Sequence, residues 1–225
     1  MVSGANKNKL SGVILAAGFS SRMNAWKMEL NIKGRPLLYY TIRPMLEVCS
    51  EVIIVGGYSI EKLSELIDQI SRTLGPEKGK IRLVKNEDFR KGMFSSVKKG
   101  LQEVNDICDG IFIMPGDMPF VRLDTYKKLS ALLSSENEND ILFPTALINT
   151  EDGGTRWKKG HPVLLSGRVK DLIIKNDNDA VFRDVLRPFS FELCPVEDKG
   201  ICFDIDDETD LEKALSYLDN SYKYS

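Results

Sequence analysis

The sequence predicts an α/β protein: a mostly parallel sheet flanked by helices, with some antiparallel strands at its far edge. Three observations carry that expectation. From Leu10 onward, short apolar, β-branched runs alternate with longer helical patterns, the rhythm of strand–helix–strand units. The first four runs read as strands whose two faces are both covered. In the second half the apolar runs are spaced irregularly between Asp-, Gly- and Lys-rich stretches, which suits antiparallel strands added at one side.

Taken in order, residues 1–9 are polar without an apolar stretch, so a flexible leader is expected there rather than a signal peptide. Residues 10–225 are expected to form a single domain, because a chain of 225 residues is near the upper size of one hydrophobic core. Strands are expected at 12–16, 51–55, 80–85 and 110–114, with helices near 36–48, 59–71 and 94–104 between them. Pro36 suits a first helical turn, whereas Pro44, inside the same pattern, should kink that helix or end it early. Asp124 with Leu129, Leu132 and Leu133 following reads as a capped helix, and 134–140 as a polar connector. Further strands are expected at 141–147, 162–165 and 189–193, with a helical stretch near 180–186. A last strand at 201–205 precedes a terminal helix, for which Thr209 and Glu212 have the spacing of a capping box.

Composition removes several classes of function. The hydrophobic fraction is 42% and the charged fraction 28%, and no apolar run approaches the ~18 to 20 residues that span a bilayer. A net charge of -2 supplies no general basic field, so neither a nucleic-acid nor a membrane partner is expected. Cys49, Cys108, Cys194 and Cys202 lie far apart without a C-x-x-C pair. Buried reduced thiols are expected, and with them the cytoplasm as the compartment.

Chemistry concentrates in four places. After the first strand come Leu15, Ala16, Ala17, Gly18, Ser20, Ser21 and Arg22, with Lys27 close behind. Small residues there let backbone N–H groups approach a phosphate, and Arg22 and Lys27 can neutralise its charge. A tight turn with surface Arg and Lys would use the same residues. At the end of the fourth strand Asp117 points toward the crevice where open α/β sheets bind ligands, and its carboxylate suits Mg²⁺; Gly-Asp-Met-Pro is equally a turn sequence. Near the last strand, alternation puts Asp204 and Asp206 on one face and Asp207 on the other. Asp204 is the better candidate for a shared ion, and capping of the terminal helix is the alternative use of Asp206 or Asp207. In the loop after the third strand, Gly92 would let the backbone approach a flat base and Ser95 or Ser96 could hydrogen-bond to it; one of the two could instead cap the following helix.

Together the strings A-A-G-x-S-S-R-M, W-K-M, G-M-x-x-S-V, G-D-M-P and G-H-P-V resemble those of the molybdenum cofactor cytidylyltransferases, from about Val13 to Leu211. The resemblance implies a Rossmann-type, GT-A-like nucleotidyltransferase fold and transfer of CMP from CTP to a molybdopterin-type cofactor with release of pyrophosphate. Arg22, Lys27 and Asp117 would be catalytic, Asp117 and Asp204 the Mg²⁺ ligands, and Gly92 and Ser96 the readers of cytosine. Related guanylyltransferases typically carry L-A-G-G, so Ala17 favours CTP over GTP. Asp204-Ile205-Asp206 resembles the family's D-I-D-T-P-x-D-L segment, with Asp-Glu-Thr replacing Thr-Pro-x. Trp26 and the lone histidine, His161, would contact the acceptor, and Arg156 could grip its phosphate. Three alternatives stay open: GMP transfer to the same cofactor, CMP transfer to a sugar- or polyol-phosphate, and a silent nucleotide-binding partner. A molybdoenzyme or its chaperone is a further partner this resemblance suggests.

Overall fold

The computed structural model describes residues 8–18, 26–133, 138–150, 152–207, 209–213 and 215. In chain order the elements are β1 (Leu10–Ala16), β2 (Asn31–Ile32), β3 (Arg35–Pro36), α1 (Leu37–Val48), β4 (Glu51–Gly56), α2 (Ile60–Leu74), β5 (Ile81–Lys85), α3 (Met93–Glu103), β6 (Gly110–Pro115), α4 (Leu123–Leu132), β7 (Ile141–Asn149), β8 (Thr155–Lys159), β9 (Val163–Ser166), α5 (Lys170–Ile174), α6 (Phe182–Val185) and β10 (Phe191–Pro195). Strands line up in the order β10-β7-β9-β6-β1-β4-β5, with β8 paired to β7 and β2-β3 forming a separate ribbon. The β6-β1-β4-β5 half is parallel. Antiparallel pairing begins where β9 joins β6 and continues through β7 and β8, and β10 closes that side parallel to β7.

Strand alternation sorts the apolar side chains into two cores, one on each face. Ile14, Val52, Ile54, Phe112 and Met114 meet α1, α2 and α4 on one side. Val13, Ile53, Val55, Ile111 and Ile113 meet α3, α5 and α6 on the other. Leu63, Leu66, Ile67 and Ile70 of α2 are buried at the i, i+3, i+4, i+7 spacing of an amphipathic helix,. No helix among the described residues is long and apolar enough to cross a membrane.

Several local expectations are corrected. Helix α1 runs through Pro44 to Val48: Ile42, Met45 and Leu46, on either side of it, are fully buried, and that packing outweighs one missing backbone hydrogen bond. Residues 201–205 are no strand. A 3₁₀ turn over Lys199–Cys202 is followed by extended chain that pairs through Ile205 N–H to the Asp117 carbonyl, 3.0 Å. Conversely β8, which lies in one of the Asp-, Gly- and Lys-rich stretches and was not expected, is a strand whose five residues are all exposed, so no apolar alternation marks it. The short α6 occupies only 182–185 of the helical stretch expected at 180–186.

Caps also differ from their sequence assignments. Asp124 lies inside α4, whose first turn is held by the remote Asp198 instead. Thr209 is already helical, and Asp207 Oδ1 accepts from Asp210 N–H at 2.9 Å. Neither Ser95 nor Ser96 caps α3, since Gly92 is the N-cap residue. All four cysteines are free, but only Cys49 and Cys194 are buried; the region 134–137 of the expected connector lies outside the described residues.

Candidate active site

The site forms where three segments meet at the carboxyl ends of the central parallel strands. The first is the turn after β1. Ala16 and Ala17 are buried, Leu15 is half-buried and Gly18 is exposed with open space about it. Ser20, Ser21 and Arg22 lie outside the described residues. A Cβ at Gly57 would stand 2.7 Å from that of Phe89 and 2.9 Å from that of Ala17; its absence lets the β1 turn and the loop after β5 close on one another.

The second segment leaves β6. Gly116 N–H donates to the Leu15 carbonyl at 2.9 Å, tying the end of β6 to the end of β1, and Thr41 Oγ1 donates to the Gly116 carbonyl at 3.0 Å. Asp117 follows directly. The third is the stretch 198–206, whose start is anchored by Asp198. That carboxylate is almost wholly buried and accepts from Arg122 N–H at 2.8 Å, Thr125 Oγ1 at 2.6 Å and Gly200 N–H at 3.0 Å.

Lys27 joins these segments. It opens a 3₁₀ turn over Lys27–Glu29, and its buried side chain reaches Asp206 Oδ1 at 2.5 Å and Asp117 Oδ2 at 3.7 Å. Asp206 was the weaker candidate in sequence, yet it is the closer partner of Lys27. Asp204 is exposed and lies within electrostatic range of Asp117. Burial raises the Asp117 pKa above the ordinary carboxylate value; Lys27 works against the rise, and Asp204 and Asp206 add to it,. Lys27 thus bridges the Asp117 and Asp206 carboxylates.

Carboxylate oxygens at this place are the kind of ligand that a hard divalent cation takes. Among the described residues no three His, Cys, Asp or Glu side chains converge as a closed metal cage. The donor set thus fits Mg²⁺ in its usual mode, bound through one or two carboxylates with phosphate and water completing the shell.

Gly92 has φ +112°, a backbone angle that L side chains rarely adopt, and it starts α3. Ser96 is buried and accepts from Asn86 Nδ2 at 2.9 Å, as does Ser95. Ser95 Oγ donates back to the Gly92 carbonyl at 2.8 Å. Asn86, which the sequence reading passed over, is therefore the hub of this loop; an Asn directly after a strand was the only signal for it.

His161 follows β8, and its N–H donates to the Ile201 carbonyl at 2.9 Å. Burial holds the imidazole pKa below the usual histidine value, with the Ile113 backbone acting against the fall, and Nδ1 is enclosed without a partner. Trp26 packs against the core beside Lys27. Arg156 is exposed on β8, and alternation puts it on the face opposite Lys159. At Gly160 an added Cβ would lie 2.2 Å from the Ile201 carbonyl oxygen. Gly160→Ala is accordingly expected to cost about 1–3 kcal/mol and to lower Tm by roughly 3–10 °C, with activity falling because the 201–206 segment shifts. Gly79→Ala, where a Cβ meets nothing within 4 Å, is the control. Equal melting curves for the two variants would refute the packing argument.

Comparisons with known proteins identify the family and the fold. Residues 12–194 match the family described as MobA-like NTP transferase domain. The chain is 30% identical to the molybdenum cofactor cytidylyltransferase of Escherichia coli K12, over 88% of its own length and 91% of that protein's. Among solved structures, a protein of Mycobacterium sp. strain JC1, homologous to Rv0371c of Mycobacterium tuberculosis, superposes with a TM-score of 0.71 at 22% identity, covering 94% of this chain and 97% of that one. Rv0371c of Mycobacterium tuberculosis H37Rv in complex with manganese superposes with a TM-score of 0.64 at 18% identity, over 92% of this chain and 98% of that one.

Proposed function

The chain belongs to the MobA-like NTP transferase family, and from that premise we propose that it transfers CMP from CTP to the terminal phosphate of a molybdopterin-type cofactor, releasing pyrophosphate. Nucleotidyl transfer is the activity of the family; the base and the acceptor are our reading. The observation that carries it is the Lys27–Asp117–Asp206 cluster at the end of β6, together with likeness to a cytidylyltransferase along nearly the whole chain.

The acceptor phosphate oxygen attacks the α-phosphorus of CTP in line, and pyrophosphate leaves from the opposite side. No covalent intermediate on the protein is required. Asp117 and Asp204 would hold Mg²⁺, which supplies neutralising charge to the triphosphate. Lys27, fixed by Asp206, presents its ammonium to the phosphates without having to reorganise, and Arg22 is assigned to the same task. The β1 turn from Leu15 to Gly18, with Ser20 and Ser21, would cradle the triphosphate through backbone N–H groups. Gly92 and Ser96 would read the base, Ser96 by way of Asn86. His161 and Trp26 are assigned to the acceptor.

The test is product identification: protein, Mg²⁺, molybdopterin and each NTP in parallel, with mass analysis of the product. CTP is expected to exceed GTP in kcat/KM, by a factor on the order of 10⁴ if the pocket's polar groups are left unpaired by the purine. Ser96→Ala removes one of the two acceptors of the Asn86 amide and should erode the CTP-over-UTP ratio about fivefold, the worth of one net hydrogen bond. Preference for GTP would replace cytidylyl with guanylyl transfer. Transfer to a polyol phosphate alone would overturn the acceptor, and absence of pyrophosphate release with every NTP would leave a binding partner.

A further inference from the structure

Beside His161 lies a cavity of about 640 Å³ between β7, β8, β10 and α6, within the size range of small-molecule sites. Its walls are aromatic. Phe143 and Phe191 stand edge to face with ring centroids 5.9 Å apart, and Phe182 backs the opposite side, stacked on Phe94. Phe191 is about half exposed and Met93, on the rim, likewise, so the apolar lining is open to solvent.

Its charge is positive. Lys159 Nζ sits 3.9 Å from the Phe191 ring centroid and 4.6 Å from that of Phe143, held by cation–π attraction, and among the described residues it has no carboxylate partner. Arg183 and Arg187 line the same cavity and share a single carboxylate, Asp184, at 3.9 and 3.1 Å. The balance is two uncompensated cations around an aromatic slot. His161 also lines the cavity, and its backbone N–H donates to the Ile201 carbonyl of the segment that runs on to pair with Asp117 through Ile205, which connects the slot to the transfer centre.

We propose that this cavity is the acceptor site and that it selects a planar heterocycle bearing negative charge, with Phe143 and Phe191 contacting the ring and Lys159 the anionic group. The inference rests on the acceptor reading above and narrows it. Rings stack on aromatic faces and anions pair with the unmatched cations. A hydroxyl-rich polyol phosphate would satisfy the cations but leave its hydroxyls against phenylalanine. Arg156, on the other face of β8, takes no part.

The probe is 6-carboxypterin, a flat heterocycle with one carboxylate, titrated into the full chain and followed by its fluorescence. Both test residues are solvent-exposed, so Phe191→Ala and Lys159→Ala are expected to fold normally. Each should weaken pterin binding about tenfold, as loss of one stacking surface or one ionic hydrogen bond does, with CTP affinity unchanged and glycerol 3-phosphate bound far more weakly than the pterin. Equal pterin affinity in wild type and both variants, or a preference for glycerol 3-phosphate, overturns the proposal. Its failure is distinct from that of the proposed function. CMP transfer to molybdopterin with unaltered acceptor KM in both variants sinks the cavity and leaves the function standing. Variant-sensitive pterin binding without CMP transfer supports the cavity and removes the function.

Discussion

Asp117→Asn is expected to abolish nucleotidyl transfer while leaving the fold intact. The two side chains have nearly the same shape, and the tie between this segment and the extended chain after Cys202 runs through the Asp117 backbone carbonyl, which accepts from Ile205 N–H. What changes is charge. The Asp117 carboxylate is disfavoured by burial and by the neighbouring Asp204 and Asp206, so without metal the neutral amide should hold stability level or raise it. With Mg²⁺ the order reverses, because the amide no longer supplies the charge that binds the ion. A metal-bound charge stabilises such a transition state by several kcal/mol, so kcat is expected to fall by about a thousandfold or more. Thermal melts with and without Mg²⁺ supply an independent readout: the wild type gains stability from the ion and the variant does not. Near-normal turnover of Asp117→Asn in Mg²⁺ would remove this residue from the metal site.

Lys27→Met should be almost as damaging, by a different route. The lysine stem is buried, so methionine keeps most of its packing while removing the ammonium. A preorganised charge aimed at a transferring phosphate contributes roughly 3–4 kcal/mol, or about 10²–10³ in the chemical step. Removing it also leaves Asp206 and Asp117 without their shared cation; water reaches the partly exposed Asp206, which limits that penalty. Adding Asp206→Asn to Lys27→Met should not restore the rate. Single-turnover transfer unchanged at saturating CTP, with only the affinity for CTP reduced, would make Lys27 a binding residue and refute its catalytic assignment.

Much of this frame was legible in the sequence because it depends on neighbours along the chain. The parallel strands β1, β4, β5 and β6 each appear as an apolar, β-branched run, and Val13, opposite both Ile53 and Ile113, is buried as such runs require. Asp117 directly after β6 and the small residues directly after β1 follow from the same local reading, since a motif at a strand's carboxyl end has its place in the crevice set by the sheet. Even the antiparallel edge was foreshadowed by the irregular spacing of apolar runs after residue 140. Where local signals were absent the reading stopped: β8 has no buried residue to betray it, and Pro44 is tolerated only because the packing of α1 compensates.

Distant pairings were decided by tertiary structure alone. Lys27 bonds to Asp206 across 179 residues, although strand alternation had offered Asp204 and Asp206 equally and no periodicity ranks one above the other. Asp198 holds the start of α4 from 76 residues away, a cap that no adjacent sequence reveals, and in doing so it anchors the segment that delivers Asp204 and Asp206. The aromatic slot unites residues of β7, β8, β10 and α6, which become neighbours only once β10 returns to lie parallel to β7. The sequence by itself determined the strand rhythm and the places of the small-residue turn after β1 and of Asp117 after β6, because propensity and side-chain period act over a few residues. Tertiary structure decided which charges meet and which rings line a cavity, because those contacts depend on strand order and loop closure, and neither is encoded in the spacing of nearest neighbours.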